Sequence, residues 1–463
     1  MYASPKTVLF LSACALLMSA VASATTISVR PGQSIQAAIT RAAPGDRIEL
    51  EPGIYKETVY IDKNDITLHG NVRDGQWPIL DGNNSLPNGV LAAGHGVTIE
   101  YLWIRHYKGN GIMTQGSNNY RILHNVVEGP CFYAIFPQYG KNGLIAYNVV
   151  SNSDDAAIYV GMSDNVDVLY NETYGSFSGI EAENSRDVLI EGNFVHDNSS
   201  GVMLTLLPGL PVKTADRLIV RHNIITHNNG RIEAPAGGAL DDLPSGVGVF
   251  VVGTDHSAVE GNLITDNASA GVYIVETDLL ASSPDEKMDP FPDYVQLLSN
   301  VYARNGTAPQ GTIKDNIEAA GRTTGVDVLA SGKGHDNCMV DRAATPSLGT
   351  AHYSECAQGA TTAAVTTMRT AEPVAPVQYT PEQKARFTYL AVCSGCHTYD
   401  ARLIGPPMIT IKALYGKDEQ RLASWISHPT HKRRDYPEMP AQDYLPEGLR
   451  LALAHYILNE LSH

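Results

Sequence analysis

The stretch ILHNVV, Ile122 to Val127, returns along the chain with small changes. It comes back as IAYNVV around Asn148, VLYNET at Asn171, IEGNFV at Asn193, VRHNII at Asn223, VEGNLI at Asn262 and LLSNVY at Asn300. The first steps between these asparagines are 23, 23 and 22 residues, and the later ones are longer. A fixed period of this size marks a solenoid, in which no repeat can bury its apolar face without its neighbours. Within each unit, apolar residues come in short runs with a period of two, separated by Gly, Asn, Asp and Ser. That is the pattern of short strands joined by tight turns, not of helices. The asparagine recurs at one turn, where its amide can bond to the coils above and below. These residues are therefore read as structural.

About 22 residues is the length of one coil of a parallel β-helix. The first coil needs a cover. VRPGQSIQAAITRAAPGDRIELEPGIY supplies one: Ser34 caps a short helix whose apolar face is Ile35, Ala38, Ile39 and Ala42. This opening and the repeat resemble right-handed parallel β-helix proteins of the pectate-lyase-like, carbohydrate-binding type, over roughly residues 25–345. The predicted fold is mainly β, a right-handed β-helix over 25–356 with a small all-α domain after it.

The chain has 463 residues, so two domains are expected, and a formal net charge of -16. With no basic stretch carrying interleaved aromatics, that charge argues against nucleic acid. From Tyr379 onward ten Lys and Arg face nine Asp and Glu, so the acidity sits in the repeats. Lys6, the apolar run VLFLSACALLMSAV and Ala22-Ser23-Ala24 read as an export signal over 1–24. The run is too short for a membrane span. LSAC resembles a lipoprotein box at Cys14, but lipidation there would leave an apolar ALLM beside the anchor. The expected product is a soluble periplasmic or extracellular protein. In an oxidising compartment Cys338 and Cys356 can pair and pin the last loop. Cys131 is read as a buried apolar thiol. Residues 357–378, AQGATTAAVTTMRTAEPVAPVQ, have no apolar period and read as a semi-extended linker.

CSGCH, Cys393 to His397, has the spacing for covalent attachment of a c-type haem, which is joined outside the cytoplasm. A zinc half-site would need two further ligands close by, and no second Cys pair follows. Around the motif the pattern is helical. Thr380 can cap TPEQKARFTYLAV, with Pro381 at the first helical position, and LPEGLRLALAHYILNEL is a second amphipathic helix. Together these resemble a class I bacterial cytochrome c over 379–463.

The resemblance implies one covalent haem c on Cys393 and Cys396. It makes His397 the proximal iron ligand, supported by Gly405-Pro406, and Met439 before Pro440 the distal one, with Met408 as competitor. It implies a crossing of the terminal helices through Phe387 and Tyr456. With both axial positions filled, it implies electron transfer with a redox partner protein. Trp425 is read as core. HKRR, His431 to Arg434, is a solvated loop or a docking patch for an acidic partner.

One face of the repeat is unusually apolar for an outer surface. Its column runs Met113, Phe136, Tyr159, Glu181, Met203, Phe250, Tyr273. Insertions after Leu204, Asn229 and Thr277 should gather beside it. Two occupants suit such a face: a polysaccharide, or the chain's own cytochrome domain. Asp154, Asp155, Tyr159, Glu181 and Glu183 are the candidate catalytic residues of a groove there, as general acid and base. No His-Asp pair resembling that of mannuronate epimerases and no lyase signature is present. The scattered histidines 124, 196, 222, 227 and 256 read as isolated turn residues, the alternative being a copper or zinc site. The functional expectation is an exported electron carrier tethered to a binding scaffold. Its alternatives are a polysaccharide lyase, epimerase or hydrolase, and an assembly factor for a metalloenzyme.

Overall fold

The computed structural model describes residues 24–463 apart from 130–131, 231–242, 281–283, 395, 401, 403–404, 431–435, 437 and 463. Cys14, Cys131, HKRR and most of the export segment therefore lie outside the described residues. Among those described, the strands form three parallel sheets of thirteen, eleven and ten strands. Coils pair in register: Ile112 with Ile135, Ile135 with Ile158, Ile158 with Ile180, and Ile180 with Val202. These side chains stack inside the coil and are fully buried. Each contributes roughly 1.5–3 kcal/mol by leaving water. The fold is a parallel β-helix.

The asparagine ladder forms as expected. Asn125 Nδ2 donates to Asn148 Oδ1 at 3.1 Å and Asn148 Nδ2 to Asn171 Oδ1 at 2.9 Å. The row continues through Asn193, Asn223, Asn262 and Asn300. A second ladder, Asn198, Asn228, Asn267 and Asn305, runs beside it. The turn before the first ladder puts Tyr101, His124, Tyr147 and Tyr170 in the left-handed region. Their rings stack at 4.8, 4.9 and 5.3 Å, which offsets part of the strain of a non-glycine residue there. His124 is thus a ring in a stack, as is His256 against Tyr294.

Helix α1 (Ile35–Arg41) plugs the first coil with Ile35, Ala38 and Ile39, and Ser34 Oγ accepts from Ala37 N. Helix α2 (Gly311–Ala319) lays Ile313 and Ile317 over the upper part of the eleven-stranded sheet. The insertions do gather there. Leu207, Leu210, Leu243 and Leu280 cover Met203, Phe250 and Tyr273, and Lys213 pairs with Asp285 across two of the loops. They close the face instead of walling a groove. Cys338 and Cys356 form a disulfide at the far end.

Residues 357–378 are extended, but they are not a free linker. They run back along the thirteen-stranded sheet as a strap. Thr362 N donates to Glu260, Met368 N to Asp167, Thr370 N to Asn142 and Val374 N to Asn119, at 2.7–2.9 Å. Val377 then meets His95. Each partner lies nearer the start of the chain than the last. The strap thus returns the chain to the early coils.

There the chain folds into a helical unit. Helix α3 (Pro381–Thr388) has a Thr380–Gln383 capping box and leads into a π-helical turn at Tyr389–Cys393. Helices α4 (Met408–Tyr415), α5 (Glu419–Ser427) and α6 (Glu447–His455) complete a core of Tyr389, Met408, Leu422, Ile426 and Leu453. The expected Phe387–Tyr456 crossing is corrected. Tyr389 meets Tyr456, with ring centroids 5.7 Å apart, while Phe387 faces the β-helix at Tyr139, 5.3 Å away. Phe387 also packs edge-on against Tyr379, with ring centroids 5.0 Å apart.

Candidate functional site

The lower part of the apolar column is covered by the helical unit. Tyr60, Leu91, Met113, Phe136 and Tyr159 pack with Leu445, Leu449, Ala391 and Val392. Asn88 donates to Tyr444 Oη at 3.1 Å across the same junction. Beside this contact is a cavity of about 750 Å³ with one wall from each unit.

The helical wall carries Cys393, Cys396, His397, Met408, Trp425 and Met439. The two cysteines are not disulfide-bonded. Burial pushes the Cys393 thiol up to about 12, the opposite of a redox-active thiolate. His397 Nδ1 donates to Pro406 O at 2.8 Å, which leaves the lone pair on Nε2. Burial holds its pKa below the ordinary value. A Cβ on Gly405 would come 2.3 Å from the His397 ring, so only glycine lets the backbone lie against it. Trp425 is half-buried at the wall and not in the core, a correction to its reading from sequence. Its Nε1 is buried with no hydrogen-bond partner among the described residues, as are Gln442 Oε1 and, on the opposite wall, Gln138 Nε2.

The β-helix wall carries Gln138, Asp155, Tyr159 and Glu183. Tyr159 and Glu181 pair in adjacent coils, as do Gly161 and Glu183. With no side chain at Gly161, the Tyr159 ring lies over it and its hydroxyl donates to Glu183 Oε1. Asp155 bonds to Tyr133, and Ser178 Oγ donates to Glu181 at 3.3 Å. Burial raises all three carboxyls: Asp155 to about 6, Glu183 to about 7, and Glu181 well above its usual range. Glu183 and Asp155 also push Glu181 up, and Asp155 pushes Glu183 up. Asp154 is exposed and off the cavity wall, but burial raises its carboxyl too, and its charge pushes Asp155 up. Sequence reasoning missed Tyr133 and Gln138, which stand on turns and strand ends without a motif.

Among the described residues no group of three or more His, Cys, Asp or Glu has the arrangement of a metal site. No helix among them is long and apolar enough to cross a membrane.

The family model described as "Periplasmic copper-binding protein (NosD)" matches residues 88–279, less than half of the chain. No curated protein sequence matches. Among solved structures, the mannuronan C-5 epimerase AlgE4 A-module of Azotobacter vinelandii is 16% identical with a TM-score of 0.47, covering 72% of this chain and 89% of its own. DFA-IIIase from Arthrobacter chlorophenolicus A6 is 14% identical with a TM-score of 0.41, covering 64% and 84%. Pectate lyase Pel9A is 14% identical with a TM-score of 0.31, covering 66% and 87%. The β-helix assignment rests on the register of the chain's own strands.

Proposed function

We propose that the chain is a periplasmic electron-transfer protein whose single haem c occupies the cavity between the helical unit and the β-helix. The observation that carries this is the CSGCH motif at the wall of a cavity between the two units. Its volume falls in the range of ligand pockets, roughly 300–1,000 Å³. The residues present fit the group. Cys393 and Cys396 would hold it covalently. His397 has its tautomer set by Pro406 for iron. Met439 or Met408 supplies a thioether from the same wall. Trp425 Nε1 and Gln138 Nε2 are buried donors awaiting acceptors, and haem carries two carboxylates. When bound, the haem supplies one-electron chemistry. The chain's residues exclude water from it and orient it, and the β-helix is the scaffold a partner protein or polysaccharide would meet.

Maturation in a host that exports and attaches c-type haem tests the reading. The expected product keeps its haem after denaturation, and Cys393→Ala with Cys396→Ala loses it. Met439→Ala should abolish the near-infrared sulfur-to-iron band and lower the potential, while Met408→Ala keeps the band. Haem retained by the double cysteine variant removes the assignment.

Two other readings have observations in their favour. The carboxyl–tyrosine cluster has the groups of a polysaccharide lyase, epimerase or hydrolase, and product analysis on uronate and neutral glycans tests it. The copper-binding description of the matched family favours an assembly factor for a metalloenzyme, which equilibrium dialysis with copper tests.

A further inference from the structure

The carboxyls of Asp155, Glu181 and Glu183 have no role in holding a haem, yet Asp155 and Glu183 line its cavity. Glu181 and Glu183 stand two residues apart on the strand Ser178–Glu183, and Asp155 precedes the strand Ala156–Gly161 that pairs with it, about 4.8 Å away. At that spacing in a dry setting three anions repel one another strongly, so they do not all ionise together. The groups that act on them from the β-helix are Tyr133, Tyr159, Ser178, Thr205, Asp154 and each other. No lysine, arginine or histidine among the described residues is paired with any of them. From the helical unit, the described titratable groups on the cavity wall are Arg421, Tyr415, Tyr436 and Glu438, besides the motif itself. Lys108 and Tyr139 complete the wall from the β-helix. Gln138, 2% exposed and unpartnered at Nε2, marks this wall as facing a polar ligand and not a packed interface.

Resting on the haem reading, we propose that the Asp155–Glu183 carboxyl pair takes up a proton when the haem in the adjoining cavity is reduced and releases it when the haem is oxidised. A ferric haem carries one more positive charge than a ferrous one. That charge favours the carboxylate, and its loss favours the acid. Per turnover, one electron from a one-electron donor reaches the iron and one proton from water reaches a carboxylate oxygen. Oxidation reverses both. Tyr159 holds the carboxylate ready, because its hydroxyl donates to Glu183 and stabilises the anion. The activity added to electron transfer is thus proton coupling, supplied by the β-helix and not by the helical unit.

The test is a mediated redox titration of the haem-loaded full chain across neutral pH. Reduction that consumes a proton becomes harder as pH rises, so the potential should fall. The limiting slope is tenfold in the redox equilibrium per tenfold in proton activity, about 59 mV for one electron. Glu183→Gln with Asp155→Asn should flatten the curve, while Asp154→Asn, which only removes a charge acting on Asp155, should keep its slope. Tyr159→Phe removes the donor to the anion, so the falling limb should move to higher pH with its slope kept. This variant serves where the double one fails to fold. A flat profile in the haem-loaded wild type overturns the proposal. So does a slope that survives in the double variant, which would assign it to the haem's own carboxylates. A chain matured without covalent haem overturns the haem reading as well, and is recognised before any titration.

Discussion

Glu183 lies under a domain that the sequence places 200 residues away, and its protonation follows from that cover. Burial is the largest cause of its raised pKa, with the Tyr159 hydroxyl opposing it and Asp155 adding to it. In the folded chain it holds its proton up to about pH 7, whereas unfolded it would lose it near 4.5. Between these values the folded state binds more protons, so its stability falls as pH rises through the window. Glu183→Gln removes that dependence. We expect the variant's melting temperature to exceed that of wild type by a margin that grows from pH 5 to pH 7 and then levels. A constant difference across the window would show that Glu183 stays ionised in the fold.

At the scale of elements, the ladders carry the coil-to-coil register. Asn171 Oδ1 accepts from both the backbone and side-chain amides of Asn148, and its Nδ2 serves Ile145 O and Asn193. Asn171→Ala would take the acceptor from the buried Asn148 amides and the donor from Ile145 O and Asn193 Oδ1. Urea unfolding should report a loss of about 2–4 kcal/mol, since each unsatisfied buried group costs roughly 1–3 kcal/mol. A loss below 1 kcal/mol would mean that water replaces the amide. This element was legible in advance, because a side chain repeated at every turn can only meet its own copies. The α1 plug and the α3 cap were legible too, through Ser34 and Thr380. The strap was not. Its Ala, Thr and Pro composition has no apolar period, and its partners Glu260, Asp167, Asn142, Asn119 and His95 are scattered over more than 160 positions. Asp154 and Asp155 are neighbours in sequence, yet only Asp155 lines the cavity, which the cover over the face decides.

For the whole molecule, the apolar column of the eleven-stranded sheet has two lids. Loops and α2 close its upper part, and the helical unit closes the lower. The column itself could be read from alternation, but which of two suitable occupants lay on it could not. Leu445 is 1% exposed at the lower junction. Leu445→Asp with Leu449→Asp should free the helical unit while the strap still tethers it. Small-angle scattering should then show a larger radius of gyration, and calorimetry two transitions in place of one. An unchanged radius would mean that the strap alone holds the unit in position.

The strap also sets an order in time. The coils that receive the helical unit are made before the unit itself. Between the two lies an interval in which the early face stands bare and the strap is not yet laid down. Once docked, Cys393 is 7% exposed. On the proposed haem reading, a machinery that joins thioethers would have to reach that sulfur before docking. The long return path would then act as a delay line that keeps the sulfur open until the unit docks.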